Sequence, residues 1–371
     1  MTFKGRELRS TIDADGKLTL SIERVVIPDP ADDEVVVRVE AAPINPSDLG
    51  LLLGPADLST MADSGTGPTF RIPPVRLKSV RGRIGQSLPV GNEGAGTVVA
   101  AGRNAVALEG KVVAMLAGGM YADYRKVRAD DAVVLPEGAT AAEGASMFVN
   151  PLTALGFVET ARREGHKAIV HTAAASNLGQ MLQNICRADG IPLINIVRSA
   201  AQVDVLRGMD AAFVLDSRDE DFGERLTDAI ATVGATVAFD PIGGGSLGSE
   251  ILHAMEAAAI RNMTEYSRYG SDTFKQLYIY GALDLAPTTL NRLGLGYLWS
   301  VSGWLLMPFL KKAGPEVADR MRKRVAAELT TTFASRYTRV IGLSEALQPE
   351  VLRAYERKAT GEKFLIDPTR G

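Results

Sequence analysis

Apolar positions in the first 135 residues occur in short runs. Residues 18–25 alternate between apolar and polar side chains, and residues 34–40 form a β-branched run bounded by glutamates. Two further short runs, 94–101 and 111–116, are separated from their neighbours by glycines. Short apolar runs bounded by turn residues are typical of β-strands. Their spacing predicts a β-rich domain built as a small barrel.

From about residue 151 the pattern changes to apolar bursts separated by helix-like stretches. The bursts are residues 168–170, 193–197, 212–215 and 237–239. The helix-like stretches between them include 178–188 and 221–232. Strands that alternate with crossover helices predict a doubly wound α/β parallel sheet. Residues 339–366 return to strand and helix patterns, and we expect them to rejoin the first domain.

Two segments depart from these patterns. Residues 55–88 are rich in glycine and proline and contain a group of cations, namely Arg71, Arg76, Lys78, Arg81 and Arg83. We expect an exposed loop there, with a lid or a subunit contact as the alternative. Residues 293–310 carry no charge and are diluted by glycine and serine. This run predicts a buried or interface helix rather than a membrane span.

Composition narrows the function classes. The formal net charge of −3 and the pI near 5.8 give no electrostatic reason for a nucleic acid or an anionic membrane as partner. The single cysteine, Cys186, excludes an intramolecular disulfide. This cysteine usage fits a reducing, cytoplasmic location.

Residues 169–182 contain a candidate phosphate-binding turn. The segment predicts a strand, a tight turn of small residues and a helix that begins near Ser176, and Gly179 is its only glycine. In a dinucleotide-binding fold, such a turn directs the N–H groups of a helix N-terminus toward a pyrophosphate. A bulky side chain would block that approach. The alternative is an ordinary connection between a strand and a helix.

The second strand of this unit is followed by Arg198 and Ser199. A site that prefers NAD usually has an acidic residue here, which accepts the ribose hydroxyl groups. An arginine and a hydroxyl instead favour the 2′-phosphate of NADPH, because guanidinium–phosphate contacts are strong and directional. The alternative is that Arg198 is simply exposed to solvent.

Several short motifs occur in one order along nearly the whole chain. They are Asn45-Pro-Ser-Asp48, residues 91–102, Gly119-Met-Tyr-Ala-Asp-Tyr124, Pro151-Leu-Thr-Ala154, the turn, Phe239-Asp-Pro-Ile-Gly-Gly244 and Gly361-Glu-Lys-Phe-Leu365. Together they resemble the medium-chain dehydrogenase/reductase superfamily, specifically its zinc-independent NADPH:quinone oxidoreductase branch. The resemblance implies a Rossmann domain at residues 151–331. It also implies a β-rich, GroES-like catalytic domain at residues 1–150 and 332–371, and a homodimer joined through the Rossmann domains.

The same resemblance implies positions for cofactor contacts. Thr153 would lie near the nicotinamide, and Arg198 and Ser199 near the adenosine ribose. The residues that would face the pyrophosphate are Ser176, Asn177, Leu178 and Gly179. The segments whose backbone would approach the nicotinamide contain Tyr280, Gly281, Phe364 and Leu365.

This chain departs from the family pattern at several positions. Ala173 and Ser176 stand where the turn usually has glycine, which predicts a tighter backbone approach. Gln202 and Ser217 occupy the places of a lysine and a tyrosine that bind the 2′-phosphate in relatives, and Arg198 and Arg218 are candidate substitutes. No tyrosine follows the motif that begins at Asn45, which counts against enoyl-thioester chemistry.

A zinc site is not expected. Asn92 stands where zinc dehydrogenases have a histidine before Glu93. One cysteine and three histidines do not supply a catalytic and a structural zinc site. Quinones and conjugated carbonyl compounds accept hydride without a Lewis acid, because the charge delocalises onto oxygen.

The sequence therefore predicts NADPH-dependent hydride transfer to a quinone or an α,β-unsaturated carbonyl compound. Asn45 is the candidate that orients the substrate or the nicotinamide, and a structural role as a turn residue is its alternative. Two other functions stay open. One is an enoyl-thioester reductase, and the other is a non-catalytic NADPH-binding protein.

Overall fold

The computed structural model describes residues 2–65, 67–357 and 360–370. The chain forms two compact units, one comprising Met1–Val149 with Val325–Gly371 and the other comprising Asn150–Arg324. The first unit is β-rich, and the second contains a parallel sheet with helices. The predicted fold class is therefore confirmed.

The strands and helices are numbered in chain order. The strands are β1 (Phe3–Ile12), β2 (Lys17–Ile27), β3 (Glu34–Pro43), β4 (Asp57–Asp63), β5 (Pro68–Arg71), β6 (Ser87–Pro89), β7 (Gly94–Ala101), β8 (Val112–Met115), β9 (Tyr124–Arg128), β10 (Ala132–Val134), β11 (Ile169–His171), β12 (Leu193–Val197), β13 (Phe213–Asp216), β14 (Val237–Asp240), β15 (Lys275–Ile279), β16 (Trp299–Gly303), β17 (Arg339–Ile341) and β18 (Phe364–Ile366). The α-helices are α1 (Pro46–Leu52), α2 (Pro74–Leu77), α3 (Ala141–Gly144), α4 (Val149–Arg163), α5 (Asn177–Asp189), α6 (Ala200–Arg207), α7 (Phe222–Val233), α8 (Leu247–Arg261), α9 (Leu306–Ala313), α10 (Pro315–Ala327) and α11 (Pro349–Glu356).

One sheet of the first unit has the order β4-β5-β2-β1-β6. Strand β1 pairs antiparallel with β2 from Phe3 opposite Ile27 to Ile12 opposite Leu18. The expectation of a loop at residues 55–88 is wrong, because this segment supplies β4, β5, α2 and β6. Pairing of β5 with β2 and of β6 with β1 incorporates the segment into the sheet.

The other sheet of the first unit is built around β3, in the order β10-β8-β7-β3-β18-β17, and β9 also pairs with β3. The valines of β3 are fully buried, which explains the β-branched run in the sequence. Strand β18 pairs with both β3 and β17. The C-terminal segment therefore completes this sheet.

The sheet of the second unit has the order β13-β12-β11-β14-β15-β16, and its neighbouring strands are parallel. Its central strands are apolar because helices cover both faces of such a sheet. The chain order reverses between β11 and β14. In doubly wound sheets, ligands bind outside the carboxyl ends of the strands at such a switch point.

The uncharged run 293–310 is not one helix, so the predicted buried or interface helix is wrong. Residues 299–303 form β16, and α9 starts only at Leu306. Gly294 and Gly296 have positive φ angles, which are incompatible with a right-handed helix through this part of the run. In the described part of the chain, no helix combines the length and apolar character that crossing a bilayer requires.

A buried ion pair holds the loop between α8 and β15. Lys275 and Glu256 are 0% and 1% exposed and form a direct salt bridge. Glu256 Oε1 accepts a hydrogen bond from Ser271 N at 2.7 Å, and Glu256 Oε2 accepts one from Ser271 Oγ at 2.6 Å. Three donors thus satisfy the buried carboxylate and fix the loop.

Replacement of Lys275 by methionine should strongly destabilise the protein. It leaves Glu256 buried without its counter-charge, which typically costs about 3–5 kcal/mol. Lys323→Met is the matched control, because Lys323 pairs with Asp319 on the exposed surface. It should change the free energy of unfolding by less than about 1 kcal/mol. Urea unfolding tests both, and equal effects of the two substitutions would contradict this account of the loop.

Candidate functional site: the carboxyl edge of the parallel sheet and a buried polar cluster

The predicted phosphate-binding turn connects β11 to α5. Ser176 is the N-cap of α5, and its Oγ accepts a hydrogen bond from Gly179 N at 3.1 Å. The helix ends at Gly190, which is in the left-handed conformation. Ser176, Asn177, Leu178 and Gly179 therefore form the start of a capped helix, where N–H groups without an intrahelical partner attract anions.

Backbone geometry explains the small residues of this turn. Ala173 has a φ of +49°, a left-handed conformation that costs an L-residue about 1–2 kcal/mol. A Cβ atom on Gly179 would overlap the carbonyl oxygen of Ala174. The turn therefore folds closely onto the first turn of α5, in agreement with the tight approach expected from the alanine at 173.

Arg198 and Ser199 follow β12 at the same edge of the sheet. Arg198 is exposed, and its backbone N–H donates to Gln202 Oε1 at 2.9 Å. Ser199 is the N-cap of α6 and accepts from Gln202 N at 3.3 Å. Gln202, at the position where the resemblance implies a lysine, thus has a local structural role beside an exposed guanidinium.

Arg218 follows β13 and is engaged by Asp216. Its Nη2 lies 2.9 Å from Asp216 Oδ2, and its Nε lies 3.2 Å from Asp216 Oδ1. This contact lowers the pKa of the Asp216 carboxyl. A phosphate would have to compete with the Asp216 carboxylate for Arg218. In the described residues, the Arg198 side chain forms no ion pair with a carboxylate.

Asp240 joins three strands at the switch point. Its Oδ1 accepts a hydrogen bond from Thr172 Oγ1, just after β11, and another from Ile242 N at 3.0 Å. Its Oδ2 accepts from Gly243 N at 3.0 Å. Its carbonyl oxygen accepts from Tyr280 N, just after β15, at 3.0 Å. The ends of β11, β14 and β15 are thereby fixed relative to one another.

Tyr280 and Gly281 lie directly after β15. The Tyr280 hydroxyl is 2.8 Å from His171 Nε2, and a Cβ on Gly281 would press against the backbone of Pro241. Phe157 of α4 packs against the Tyr280 ring, with centroids 4.7 Å apart. Thr153, also in α4, is buried.

Trp304 completes the aromatic packing behind this edge. Its ring contacts Phe157 at 4.8 Å between centroids, and its Nε1 donates to Thr160 Oγ1 at 3.1 Å. Leu305 and Met307, by contrast, are more than 60% exposed. Trp304 is therefore a core residue, whereas its apolar neighbours in the sequence are not.

A buried polar cluster surrounds Asn45 in the first unit. Asn45 Nδ2 donates to Glu93 Oε1 at 2.8 Å, and Asn45 Oδ1 is buried without a hydrogen-bond partner in the described residues. Glu93 Oε2 accepts from Phe148 N at 2.9 Å and from Val149 N at 2.8 Å. Lys363 Nζ donates to Ser146 Oγ at 2.8 Å, and burial lowers the pKa of Lys363 to about 8.

Asp48 holds the turn that precedes α1. Its Oδ2 accepts from Asn45 N and its Oδ1 accepts from Asn92 N, both at 2.8 Å. Burial raises the pKa of Asp48 to about 7, although both backbone donors oppose that change. These contacts agree with the structural role that the sequence favoured for Asp48 over a role as an acid.

The predicted residues Phe364 and Leu365 lie in β18, and their side chains are buried. Phe364 O accepts from Ile44 N at 3.0 Å, so β18 lies beside the residue that precedes Asn45. The structure brings Asn45, Phe364 and Leu365 together in the first unit. Ser176–Gly179, Arg198, Ser199, Arg218, Tyr280 and Gly281 follow strand ends at one edge of the sheet in the second unit. Their roles in cofactor binding stay predictions.

Sequence reasoning did not assign the roles of His171, Thr172, Asp240, Glu93 and Lys363. Asp240 was visible as an acidic residue directly after an apolar strand, which is a usable signal. His171 had no such signal, because its partner Tyr280 is 109 residues away in the chain.

No group of three or more His, Cys, Asp or Glu side chains in residues 2–65, 67–357 and 360–370 is arranged to hold a metal ion. Cys186 is buried, and burial raises the pKa of its thiol to about 12. Asn92 Nδ2 donates to Ser47 Oγ at 3.1 Å. The absence of zinc from the functional protein stays a prediction.

Sequence comparison identifies reductases as relatives. The mitochondrial enoyl-[acyl-carrier-protein] reductase of Xenopus tropicalis is 33% identical over 193 residues, which is 50% of this chain and 48% of the relative. The chain spans about half the length of the curated relatives it matches. No family model matches the chain.

Structural comparison covers the whole chain. A candidate NADPH:quinone reductase from Mesorhizobium loti has a TM-score of 0.73 and 25% identity, over 98% of each chain. The Etr1p/NADP/crotonyl-CoA complex has a TM-score of 0.67 and 18% identity, over 98% of this chain and 100% of that one. At this lower identity, the similarity to Etr1p shows the fold alone.

The chain is thus similar in sequence to a reductase over half of its length, and it shares the fold of solved reductases over 98% of its length. The predicted resemblance is confirmed: the relatives and neighbours are quinone oxidoreductase-like proteins and enoyl reductases of the medium-chain dehydrogenase/reductase superfamily.

The raised pKa of Asp48 predicts that this residue makes stability depend on pH. The folded-state pKa of about 7 exceeds the ordinary value of 3.8, so between these values the unfolded chain ionises while the folded chain keeps the proton. The contribution of Asp48 to the free energy of unfolding should therefore fall as the pH rises from about 4 to 7, by up to ~1.4 kcal/mol per pH unit. Buried His171, whose pKa is lowered from 6.5 to about 3, contributes a slope of opposite sign between these values, so the prediction concerns the difference between wild type and a variant at Asp48. Lys363 keeps its charge throughout this window, because its pKa is about 8.

Asp48→Asn should remove this contribution, so that the slope of the unfolding free energy against pH is more positive in the variant than in wild type between about pH 4 and 7. Asp130→Asn, at an exposed carboxylate, should leave the wild-type slope unchanged. Urea unfolding at several pH values measures both slopes. Parallel slopes for wild type and Asp48→Asn would show that Asp48 does not titrate in this range.

Proposed function

We propose that this protein is a zinc-independent, NADPH-dependent oxidoreductase that transfers hydride to a quinone or to an α,β-unsaturated carbonyl compound. The observation that carries the proposal is the turn between β11 and α5, which lies at the switch point of a parallel sheet. Its left-handed Ala173, capping Ser176 and sterically required Gly179 match the demands of pyrophosphate binding.

The residues of the second unit fit a dinucleotide. Ser176–Gly179 would hold the pyrophosphate at the N-terminus of α5. Arg198 would contact the 2′-phosphate, since its guanidinium is exposed beside the N-cap Ser199. Gly281 and the adjoining Tyr280 would lie near the nicotinamide, and Thr153 remains a candidate contact. The similarity to the Mesorhizobium loti protein, which is named as an NADPH:quinone reductase, supports this choice.

A reduced nicotinamide supplies a hydride when it is bound. The chain's own residues would position the acceptor and stabilise charge that develops on its oxygen. Asn45 is our candidate for orienting the substrate or the nicotinamide. Its Oδ1 is buried without a partner in the described residues and can accept a hydrogen bond from an N–H or O–H group of the ligand, such as the carboxamide N–H of the nicotinamide. Glu93 would fix the orientation of Asn45 through the 2.8 Å contact with Nδ2.

The proposal includes catalysis without a zinc ion. The only cysteine is buried in the second unit, and the described residues supply no ligand cluster. Acceptors that delocalise negative charge onto oxygen do not need a Lewis acid. A cytoplasmic location is proposed on the basis of the single cysteine.

An enoyl-thioester reductase is the second candidate function. It is favoured by the similarity to the Xenopus enoyl-[acyl-carrier-protein] reductase. It is also favoured by the basic segment from Arg71 to Arg83, which contains five cations and no acidic residue and could bind the phosphates of an acyl carrier. Arg71 is paired with Asp15, whereas Lys78 and Arg81 are exposed.

The proposed homodimer has support from one sheet edge. Strand β16 is the terminal strand of its sheet, and an unpaired edge can add a strand from another copy. Tyr297 and Leu298, just before β16, are exposed apolar residues. Size-exclusion chromatography with light scattering measures the oligomeric state.

The function is tested by oxidation of NADPH and NADH with a chelator present. The acceptors are a benzoquinone, a naphthoquinone, a small enone and crotonyl-CoA. We expect NADPH-selective turnover of the quinone or the enone that resists the chelator. Turnover of crotonyl-CoA alone would favour the enoyl-thioester reductase. Tight NADPH binding without any turnover would indicate a non-catalytic binding protein.

Gly179→Ala should weaken NADPH binding by at least about tenfold, which corresponds to ~1.4 kcal/mol. The added methyl group overlaps Ala174 O and must displace the turn. Gly223→Ala is the matched control, because a Cβ at this helical glycine meets no neighbouring atom. Fluorescence titration measures both dissociation constants. Unchanged affinity in the Gly179 variant would remove the turn from the binding site.

Arg198→Ala should weaken binding of NADPH by about tenfold or more and leave NADH binding unchanged, since only NADPH has the 2′-phosphate. Arg218→Ala should have a smaller effect, because Asp216 already engages that guanidinium. Titration of both variants with both nucleotides gives the comparison. A larger loss in the Arg218 variant would reverse the assignment.

A further inference from the structure

His171 and Tyr280 form a hydrogen-bonded pair at the carboxyl edge of the parallel sheet. His171 is the last residue of β11, and Tyr280 follows β15 directly. His171 Nε2 lies 2.8 Å from the Tyr280 hydroxyl oxygen. The two rings are stacked, with centroids 5.9 Å apart and planes inclined by 14°.

The two members of the pair differ in exposure. His171 is 0% exposed, whereas Tyr280 keeps part of its surface accessible. Any accessible surface of the pair therefore belongs to the tyrosine. Since Tyr280 N also donates to the carbonyl oxygen of Asp240, the tyrosine is anchored at the switch point of the sheet.

The second nitrogen of His171 is isolated. Nδ1 is buried and has no hydrogen-bond partner in the described residues, and the ring of Phe157 lies 6.0 Å away between centroids. Burial lowers the pKa of His171 to about 3, so the imidazole is neutral at neutral pH. A neutral imidazole has one N–H donor and one acceptor nitrogen.

Two tautomers are compatible with the 2.8 Å contact. If Nδ1 carries the proton, the Nδ1–H group is a buried donor without an acceptor, and the Tyr280 hydroxyl donates its proton to Nε2. If Nε2 carries the proton, it donates to the Tyr280 oxygen, Nδ1 is an unsatisfied acceptor, and the Tyr280 O–H needs an acceptor in solvent or in a ligand. Tyr280 is partly accessible whereas Nδ1 is buried, so only the tyrosine proton has access to such an acceptor. Buried donors without acceptors are rarer than unsatisfied acceptors. The Nε2–H tautomer is therefore favoured.

This tautomer changes what Tyr280 can do. A hydroxyl that accepts from His171 keeps its own proton available, and the O–H group can rotate toward another acceptor. We infer that the Tyr280 hydroxyl, oriented by His171 Nε2–H, donates a hydrogen bond to a carbonyl oxygen of the ligand bound at this edge of the sheet. His171 is then a positioning residue, and Tyr280 is the residue that contacts the ligand.

The inference rests on the proposed function for the identity of the ligand. A carbonyl oxygen has two sources there, namely the carboxamide of the nicotinamide and the carbonyl group of the acceptor. In either case, Tyr280 would be a tyrosine hydroxyl donor, the type of group that is missing after the motif that begins at Asn45.

The tautomer is measured first, on the protein without nucleotide. Long-range ¹H–¹⁵N correlation spectra of ¹⁵N-histidine-labelled protein distinguish Nε2–H from Nδ1–H, and a His171→Gln sample assigns the His171 signals among the three histidines. We expect the Nε2–H form. The Nδ1–H form would overturn the inference and leave the proposed function untouched.

The donor role is measured with Tyr280→Phe, which removes only the hydroxyl. Its matched control is Tyr278→Phe, because the Tyr278 hydroxyl contacts Glu164 at 2.8 Å and 2.9 Å. If the acceptor is the carboxamide, Tyr280→Phe should weaken NADPH binding roughly five- to tenfold. If the acceptor is the substrate carbonyl, NADPH binding should be unchanged and kcat/KM should fall by a similar factor.

A thionicotinamide analogue of NADPH identifies the source, because sulfur is a weak acceptor. In the carboxamide case, the analogue should bind wild type less tightly than NADPH, and Tyr280→Phe should bind both nucleotides equally.

His171→Leu should cause the same defect as Tyr280→Phe, and the double variant should show no further loss. His171→Gln should be less impaired than His171→Leu, because the amide of glutamine can donate a hydrogen bond to the Tyr280 oxygen.

Wild-type affinity and turnover in Tyr280→Phe would overturn the inference, since the hydroxyl would then serve His171 alone. Failure of the wild-type protein to bind NADPH would instead remove the proposed function and this inference together. The two failures are therefore distinguishable.

Discussion

A single residue, Asp240, links the carboxyl ends of β11, β14 and β15 through its carboxylate and its backbone carbonyl oxygen. Its carboxylate accepts hydrogen bonds from the Thr172 hydroxyl and from two backbone N–H groups of its own turn. Its backbone carbonyl oxygen accepts a hydrogen bond from the N–H group of Tyr280. A buried carboxylate requires such donors. Because it sits where the strand order reverses, the same contacts that satisfy Asp240 also fix the edge where a ligand would bind.

The first unit uses a comparable arrangement around Glu93. This fully buried carboxylate accepts hydrogen bonds from Asn45 and from the N–H groups of Phe148 and Val149. Lys363 lies in the same cluster, and its charge favours ionised Glu93 even though burial raises the pKa of that carboxyl. The hydrogen bond from Asn45 Nδ2 to Glu93 therefore orients the Asn45 amide and leaves its Oδ1 as an acceptor.

The elements that sequence predicted best were those dominated by local pattern. Residues 94–101 and 193–197 form β7 and β12 with the expected bounds, because apolar β-branched runs indicate strands directly. The run 293–310 was misjudged, since the lack of charge does not distinguish a strand from a helix. Contacts such as Thr172–Asp240 and His171–Tyr280 join residues 68 and 109 positions apart, and no local pattern encodes them.

The central claim is that the turn between β11 and α5 binds NADPH. Isothermal titration calorimetry of the purified chain with NADPH and with NADH tests it most directly. We predict one site per chain, an NADPH dissociation constant on the order of micromolar, and weaker binding of NADH. Absence of NADPH binding at millimolar concentration would contradict the assignment of the turn and every function built on it.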